Sequence, residues 1–339
     1  MIGLPPRWIR RLVLAPATLA LAVALLVTLP AWLLVVLLLT PLVPGKLRMM
    51  RVVWLAVLYI GLEAVALIAL FAMWLGTGFG YWIRAPWSQR VHYALAGRYL
   101  QMLFFEARRV LKLRIEVDGP DPDAHPGHPL LVLCRHAGPG DSLVLVHSLV
   151  NWYAREPRIV LKDTLQWDPA VDVMLNRLPS RFLAPRPDDP ADHLERQVAE
   201  LATALDENDA FVIFPEGGNF TPRRRMRAID RLRRLGHRRM ADRAARMRHV
   251  LAPRPGGVVA ALSSAPEADV MLVAHAGLDH LLTVADVWRA LPTEKTITMR
   301  WWRVPAADIP RQREAQIDWL FGWWERIDEW IAERPPVSR

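Results

Sequence analysis

Apolar and polar positions divide this chain near residue 90. From Leu12 to Val43 it is almost purely apolar, broken by Pro16, Pro30 and Pro41, and from Val52 to Leu75 it is apolar again with Glu63 as its one acid. Each run is long enough to enter a bilayer. Arg7, Arg10 and Arg11 resemble the basic start of a signal peptide, but the apolar run that follows outlasts a cleavable core. After Arg90 the periods change. VHYALAGRYLQMLFFEARRVLK has helical apolar spacing, LKLRIEVDG alternates like a half-buried strand, and LLVLC at 130–134 is continuously apolar. A helix is expected from Ser142 to about Trp152, RIVLK and RFLA read as short strands, DHLERQVAELATALDEN as a helix and AFVIF as a buried strand. Strands alternating with helices predict an α/β domain over 91–339, behind membrane-embedded helices over 1–90. Near the end, Ile317, Leu320, Trp324, Ile327 and Ile331 form a helical stripe read as core packing.

Charge refines the picture. Lysine and arginine number 43 against 34 acids, a formal +9, which favours anionic partners such as phospholipid headgroups or nucleic acid. Only Lys46, Lys112, Lys162 and Lys295 are lysines, so arginine richness is partly compositional and single arginine runs carry less weight. The densest run, 223–254, holds thirteen arginines against Asp230 and Asp242 and is expected as a helix capped by Thr221. Basic clusters flank both apolar runs: Arg7, Arg10 and Arg11, then Lys46, Arg48 and Arg51, then Arg84 and Arg90. If all three stay on the cytoplasmic side of an inner membrane, each run must turn back. Pro30 would turn the first and GTGFG at 76–80 the second. The lone Cys134 leaves no disulfide and no CxxC site.

Candidate chemistry gathers where two buried strands end. LLVLC runs into RHAGPGD, placing His136 at a strand end and Asp141 after a Gly-Pro-Gly turn that lets it fold back. A turn histidine and a plain helix cap explain the same residues. His237 and Asp242 repeat the spacing inside the arginine run, where a solvated surface pair is expected. AFVIF runs into PEGGNFTPRRR, where Glu216, Gly217 and Gly218 precede a helix start beside Arg223, Arg224 and Arg225, a setting that suits a phosphate. That second strand end favours a site over a turn.

RHAGPGD resembles the Asn-His-x-x-x-x-Asp block of the lysophospholipid acyltransferase family, the 1-acylglycerol-3-phosphate acyltransferases, and FPEGGNF resembles its Phe-Pro-Glu-Gly-Thr-Arg block. LKDTLQWDPAVDVMLNRLPSRFLAPR is similar to the block between them, with Lys162 and either Arg181 or Arg186 at its basic positions. HVLAPRPGGVVAAL is similar to a later Pro-Lys-x-x-Gly segment. The resemblance covers about 91–330 and implies a mixed sheet flanked by helices. It implies His136 as general base and Asp141 as its support, with Arg135, Lys162, Arg186, Glu216, Gly217, Gly218, Thr221 and Arg223 binding substrate. Arg135 stands where the family has asparagine, and Gly218 and Asn219 stand where Thr-Arg is common, so Arg223 or a neighbour would hold the acceptor phosphate. The implied reaction passes an acyl group from acyl-CoA or acyl-carrier protein to a lysophospholipid at the membrane, with no metal and no further cofactor. Cys134, in an apolar strand, reads as an inert thiol. The 223–254 run lacks the aromatic interleaving of a nucleic-acid binder, and no Gly-x-Ser-x-Gly elbow points to a hydrolase.

Overall fold

The computed structural model of the chain describes residues 4–42, 47–120, 127–183, 192–277, 288, 291 and 296–334. In chain order its elements are α1 (Arg7–Ile9), α2 (Ala15–Leu39), α3 (Arg48–Gly76), α4 (Pro86–Leu111), β1 (Arg114–Asp118), β2 (Leu130–Cys134), α5 (Pro139–His147), β3 (Glu156–Lys162), α6 (Pro169–Leu175), β4 (Ser180–Leu183), α7 (His193–Ala202), β5 (Asp209–Ile213), α8 (Pro222–Arg234), α9 (Arg238–Arg246), α10 (Pro255–Ser264), β6 (Asp269–Ala276), β7 (Thr296–Val304) and α11 (Arg313–Ala332). They divide into two compact units. The first holds Met1–Leu113, Val160–Ala184 and Val287–Glu294, and the second Arg114–Ile159, Pro185–Asp286 and Lys295–Arg339.

In the first unit the two apolar runs are long helices, and both are long and apolar enough to cross a membrane. This corrects the expectation of two hairpins. Pro30 lies inside α2 without ending it, because one missing N–H and one crowded carbonyl are tolerated between long flanks of leucine and alanine. Likewise α3 runs unbroken to Gly76, and the turn through Gly78 and Gly80 leads into α4 rather than back along an apolar run. Lys46, part of the middle basic cluster, lies outside the described residues. Only Ala22 and Val36 of α2 are buried, so its leucines and valines form an apolar outer surface that suits hydrocarbon better than water. Leu67 and Leu70 of α3, Tyr93 of α4 and Val173 and Met174 of α6 form this unit's core.

The second unit is built on six strands in the order β1-β7-β6-β2-β5-β3. β2 lies parallel to β5, with Leu130 opposite Ala210, and parallel to β6, with Leu130 opposite Asp269. β7 runs antiparallel to β6 and parallel to β1, which makes the sheet mixed, as the resemblance implied. Every residue of β2 and β5 is buried, which explains why they read as continuous apolar runs: helices cover both faces of a central parallel strand. The expected C-terminal stripe is α11, with Leu320, Trp324 and Ile327 fully buried. The arginine run is not one helix. α8 ends at Arg234, Gly236 turns through a positive φ of 79°, and α9 begins after His237.

Candidate active site

The parallel pairing of β2 with β5 sets their C-terminal ends side by side, and the candidate site lies there. After Cys134 the chain leaves the strand, turns through Ala137 and Gly138, and enters α5, whose third residue is Asp141. The carboxylate folds back over the turn. It accepts from the backbone N–H of Ala137 at 2.6 Å, of Gly138 at 3.0 Å and of Ser142 at 2.6 Å. So Asp141 is a helix cap, and it is more than that: His136 Nδ1 lies 3.1 Å from both of its carboxylate oxygens.

Asp141 is buried, while 14% of the His136 side chain is exposed. Burial by itself raises a carboxyl's pKa, but hydrogen bonds from His136 and His275 outweigh it and hold Asp141 well below the usual carboxylate range. Beside an ionised carboxylate, the imidazole proton sits on Nδ1. Nε2 then keeps a free lone pair, the arrangement of a general base. The His136 ring packs against Phe214 with centroids 4.6 Å apart, and its backbone carbonyl accepts from Phe220 N–H at 2.8 Å. The two strand ends thus hold the histidine from both sides.

His275, in β6, escaped the sequence reading. It is buried, and its Nε2 lies 3.2 Å from Asp141 Oδ2 and 3.2 Å from the Arg135 carbonyl. Its Nδ1 has no hydrogen-bond partner, so the ring proton is on Nε2, facing Asp141. Two histidines therefore donate to one carboxylate, and both reach its Oδ2. The signal available in the sequence was a histidine near the end of the apolar run DVMLVAHA, but nothing local ties it to a residue 134 positions earlier.

Glu216 is buried and points inward. Its Oε1 accepts from His136 N–H at 3.1 Å and its Oε2 from Leu251 N–H at 2.9 Å, so it ties the turn after β2 and the segment between α9 and α10 to its own turn after β5. Burial pushes its carboxyl up to about 7, against the opposing pull of Arg135 and those two N–H donors. Gly217 follows with φ of 66°, a left-handed backbone that glycine adopts without strain, and closes a turn with its N–H on the Phe214 carbonyl at 3.0 Å. Burial likewise raises the Cys134 thiol, leaving no thiolate for attack.

The remaining sequence-predicted residues fall in different places. Arg135 is fully buried, donating to the carbonyls of His275 at 2.8 Å and His249 at 2.8 Å. Thr221 caps α8, accepting from Arg224 N–H at 3.1 Å. Gly217 and Gly218 line a groove beside Glu216, as does Arg224, whereas Arg223 is exposed and does not line it. Arg225 is tied to the carbonyls of Met247 and Ala245. Lys162 and Arg181 are exposed and belong to the first unit, and Arg186 lies outside the described residues. Asp242 is exposed and unconnected to His237 among the described residues.

Comparison with known proteins agrees with this geometry. Residues 114–263, which contain His136, Asp141 and Glu216, match the model of the Acyltransferase family. Among solved structures the chain resembles the 1-acyl-sn-glycerophosphate (LPA) acyltransferase PlsC from Thermotoga maritima, with 14% sequence identity and a TM-score of 0.50 over 86% of this chain and 100% of that one. At that identity the likeness speaks for the fold. No curated protein matches the chain significantly.

Proposed function

Because residues 114–263 match the acyltransferase family model, we propose that this chain is a membrane-bound O-acyltransferase. It carries an acyl group from a thioester, acyl-CoA or acyl-carrier protein, to a hydroxyl of a lysophospholipid. The simplest such acceptor is 1-acylglycerol-3-phosphate, giving phosphatidate. The observation that carries this reading is the His136–Asp141 pair at the end of β2, bonded at 3.1 Å through Nδ1, with no hydrogen bond to Nε2 among the described residues.

The chemistry follows from that arrangement. Nε2 of His136 takes the proton of the acceptor hydroxyl as its oxygen attacks the thioester carbonyl carbon. The new C–O bond forms, the C–S bond breaks, and the departing thiolate takes the proton from the imidazolium. Asp141, held ionised, stabilises that imidazolium and keeps the ring turned. A thioester is already activated, so the pair suffices without a covalent enzyme intermediate. The apolar surfaces of α2 and α3 support placement at a bilayer surface, where the lysophospholipid acceptor resides. The domain is proposed to face the cytoplasm, where both thioester donors are made.

The test is acyl transfer by the full chain purified in detergent, from labelled acyl-CoA and from labelled acyl-carrier protein, to 1-acylglycerol-3-phosphate and other lysophospholipids. Transfer that disappears in His136→Ala supports the reading. A folded wild-type protein that labels no lysophospholipid from either donor ends it.

A further inference from the structure

Beside the catalytic pair the second unit carries a groove of about 930 Å³ that begins at Glu216, Gly217 and Gly218 and runs along one face of α8. Its volume is that of a small-molecule site. Arg224, Arg227, Arg231 and Arg234 recur at intervals of three, four and three residues, which stacks them on a single helical face, and all four line the groove. Arg254, just before α10, and Arg313, at the start of α11, complete the lining cations. Two of these guanidiniums rest on the glycine turn. A Cβ at Gly217 would lie 3.0 Å from the Arg254 guanidinium, and one at Gly218 would lie 3.2 Å from Arg224 Nη1.

Acids do not balance these cations. Glu195 lines the groove 3.9 Å from Arg313, and the Glu216 carboxylate is spent on backbone N–H groups. Among the described residues, Arg224, Arg227, Arg231, Arg234 and Arg254 make no ion pair. The next helix behaves differently. On α9, Arg239 pairs with Asp318 at 3.2 Å, Arg243 with Glu325 at 2.7 Å and Arg246 with Glu325 at 3.5 Å. Both helices come from the same arginine-rich stretch, so composition alone does not explain why one set is neutralised and the other is left facing a cavity. Like charges stacked three and four residues apart destabilise a helix. An anionic ligand would offset that cost.

One phosphomonoester brings a charge of about −2, small against the five guanidiniums that make no ion pair among the described residues. We propose that this groove receives an acceptor headgroup bearing a second phosphate, so that lysophospholipids with two phosphate groups are preferred over 1-acylglycerol-3-phosphate. The proposal rests on the acyl-transfer reading above. Its assignment to the acceptor follows from position: the groove begins at Glu216, which accepts the His136 N–H, so its near end adjoins the strand end that carries the base while the remaining arginines extend away along α8. The phosphates of coenzyme A stand a pantetheine arm away from the thioester.

Binding and turnover test it in the full-length protein in detergent. Inorganic pyrophosphate should bind about tenfold or more tighter than orthophosphate at equal ionic strength. The 3-pyrophosphate analogue of 1-acylglycerol-3-phosphate should exceed the monophosphate in kcat/KM by a similar factor. The double variant Arg227→Gln, Arg231→Gln should lose both preferences, while Arg239→Gln, one charge removed from the paired helix, should keep them. If that double variant melts abnormally, Arg231→Gln with Arg234→Gln serves in its place. Equal binding of the two anions, or equal loss in Arg239→Gln, overturns the proposal. So does displacement of pyrophosphate by coenzyme A, because the groove then belongs to the donor. His136→Ala should still bind pyrophosphate. Tight pyrophosphate binding by a wild-type protein that acylates no acceptor would instead retire the acyl-transfer reading, and the acceptor assignment with it, leaving an anion site.

Discussion

His136 and Asp141 share their five-residue spacing with His237 and Asp242, yet the two pairs have different fates. In the first, the chain leaves a buried strand, turns, and enters a helix, and the turn brings the carboxylate to 3.1 Å from the ring. In the second, His237 stands at a break between two helices and Asp242 lies exposed on α9, and among the described residues nothing joins them. Burial separates them further. Asp141 is sealed inside a sheet edge that supplies three N–H donors and a second histidine, whereas water solvates Asp242. Spacing is therefore uninformative until the backbone path between the two residues is known.

Substitutions can break or sharpen that contrast. The largest effect belongs to His136→Ala, which removes the base and should lower kcat by roughly a hundredfold to ten-thousandfold with membrane association intact; near-normal acyl transfer would dissolve the difference between the pairs. Asp141→Asn comes next. It keeps one oxygen for the backbone donors but loses the charge that supports the imidazolium, and a fall in kcat of about a hundredfold or more is expected, measured by single-turnover transfer.

His275 offers a sharper probe, because it acts through Asp141. His275→Leu removes one hydrogen bond to a charged group, worth about 1.5 kcal/mol, so a loss of about tenfold is expected. His275→Gln, which can still donate, should recover part of it. The pH profile separates this from simple loss of packing. With one donor gone, more of the carboxylate charge falls on His136, its imidazolium is stabilised, and the acid limb of kcat/KM moves to higher pH. An unshifted limb would make His275 a structural residue only.

Glu216 predicts a signature in stability. Its folded carboxyl is raised to about 7 from its ordinary 4.5, so between those values the unfolded chain ionises while the folded one holds its proton. Wild-type stability should therefore be greatest on this account below about pH 4.5 and fall as pH rises towards 7. Glu216→Gln lacks the titrating group, and its Tm relative to wild type should improve from about pH 5 to about pH 8; a constant difference would contradict the raised carboxyl. The smallest effect belongs to Asp242→Asn, the counterpart of Asp141→Asn, which should change kcat by less than about twofold.

Much of the frame was legible because it depends on local pattern. LLVLC and AFVIF read as buried strands since a strand covered on both faces must be apolar throughout, and α11 read as a core helix from the spacing of Leu320, Trp324 and Ile327. The long apolar helices were equally plain, but their course was not. Pro30 looked like a turn, and whether a proline ends a helix depends on the flanking segments and what they pack against. The division into units was hidden as well, because Val160–Ala184 groups with the N-terminal helices through contacts far apart in sequence.

For the site, the sequence by itself determined the two strand ends and their residues, His136, Asp141, Glu216 and the glycines after it, because the strand signal and the turn chemistry are both local. Only the tertiary structure decided how each residue is used. It turned Glu216 inward to clamp two loops, buried Arg135 against the carbonyls of His275 and His249, and brought His275 within hydrogen-bond reach of Asp141. It also split one arginine-rich stretch into a helix paired with acids and a helix facing a groove. The physical reason is common to all of these. A side chain's role is set by the dielectric around it and by partners that strand pairing and helix packing bring within a few ångströms, and neither is written in its immediate neighbours along the chain.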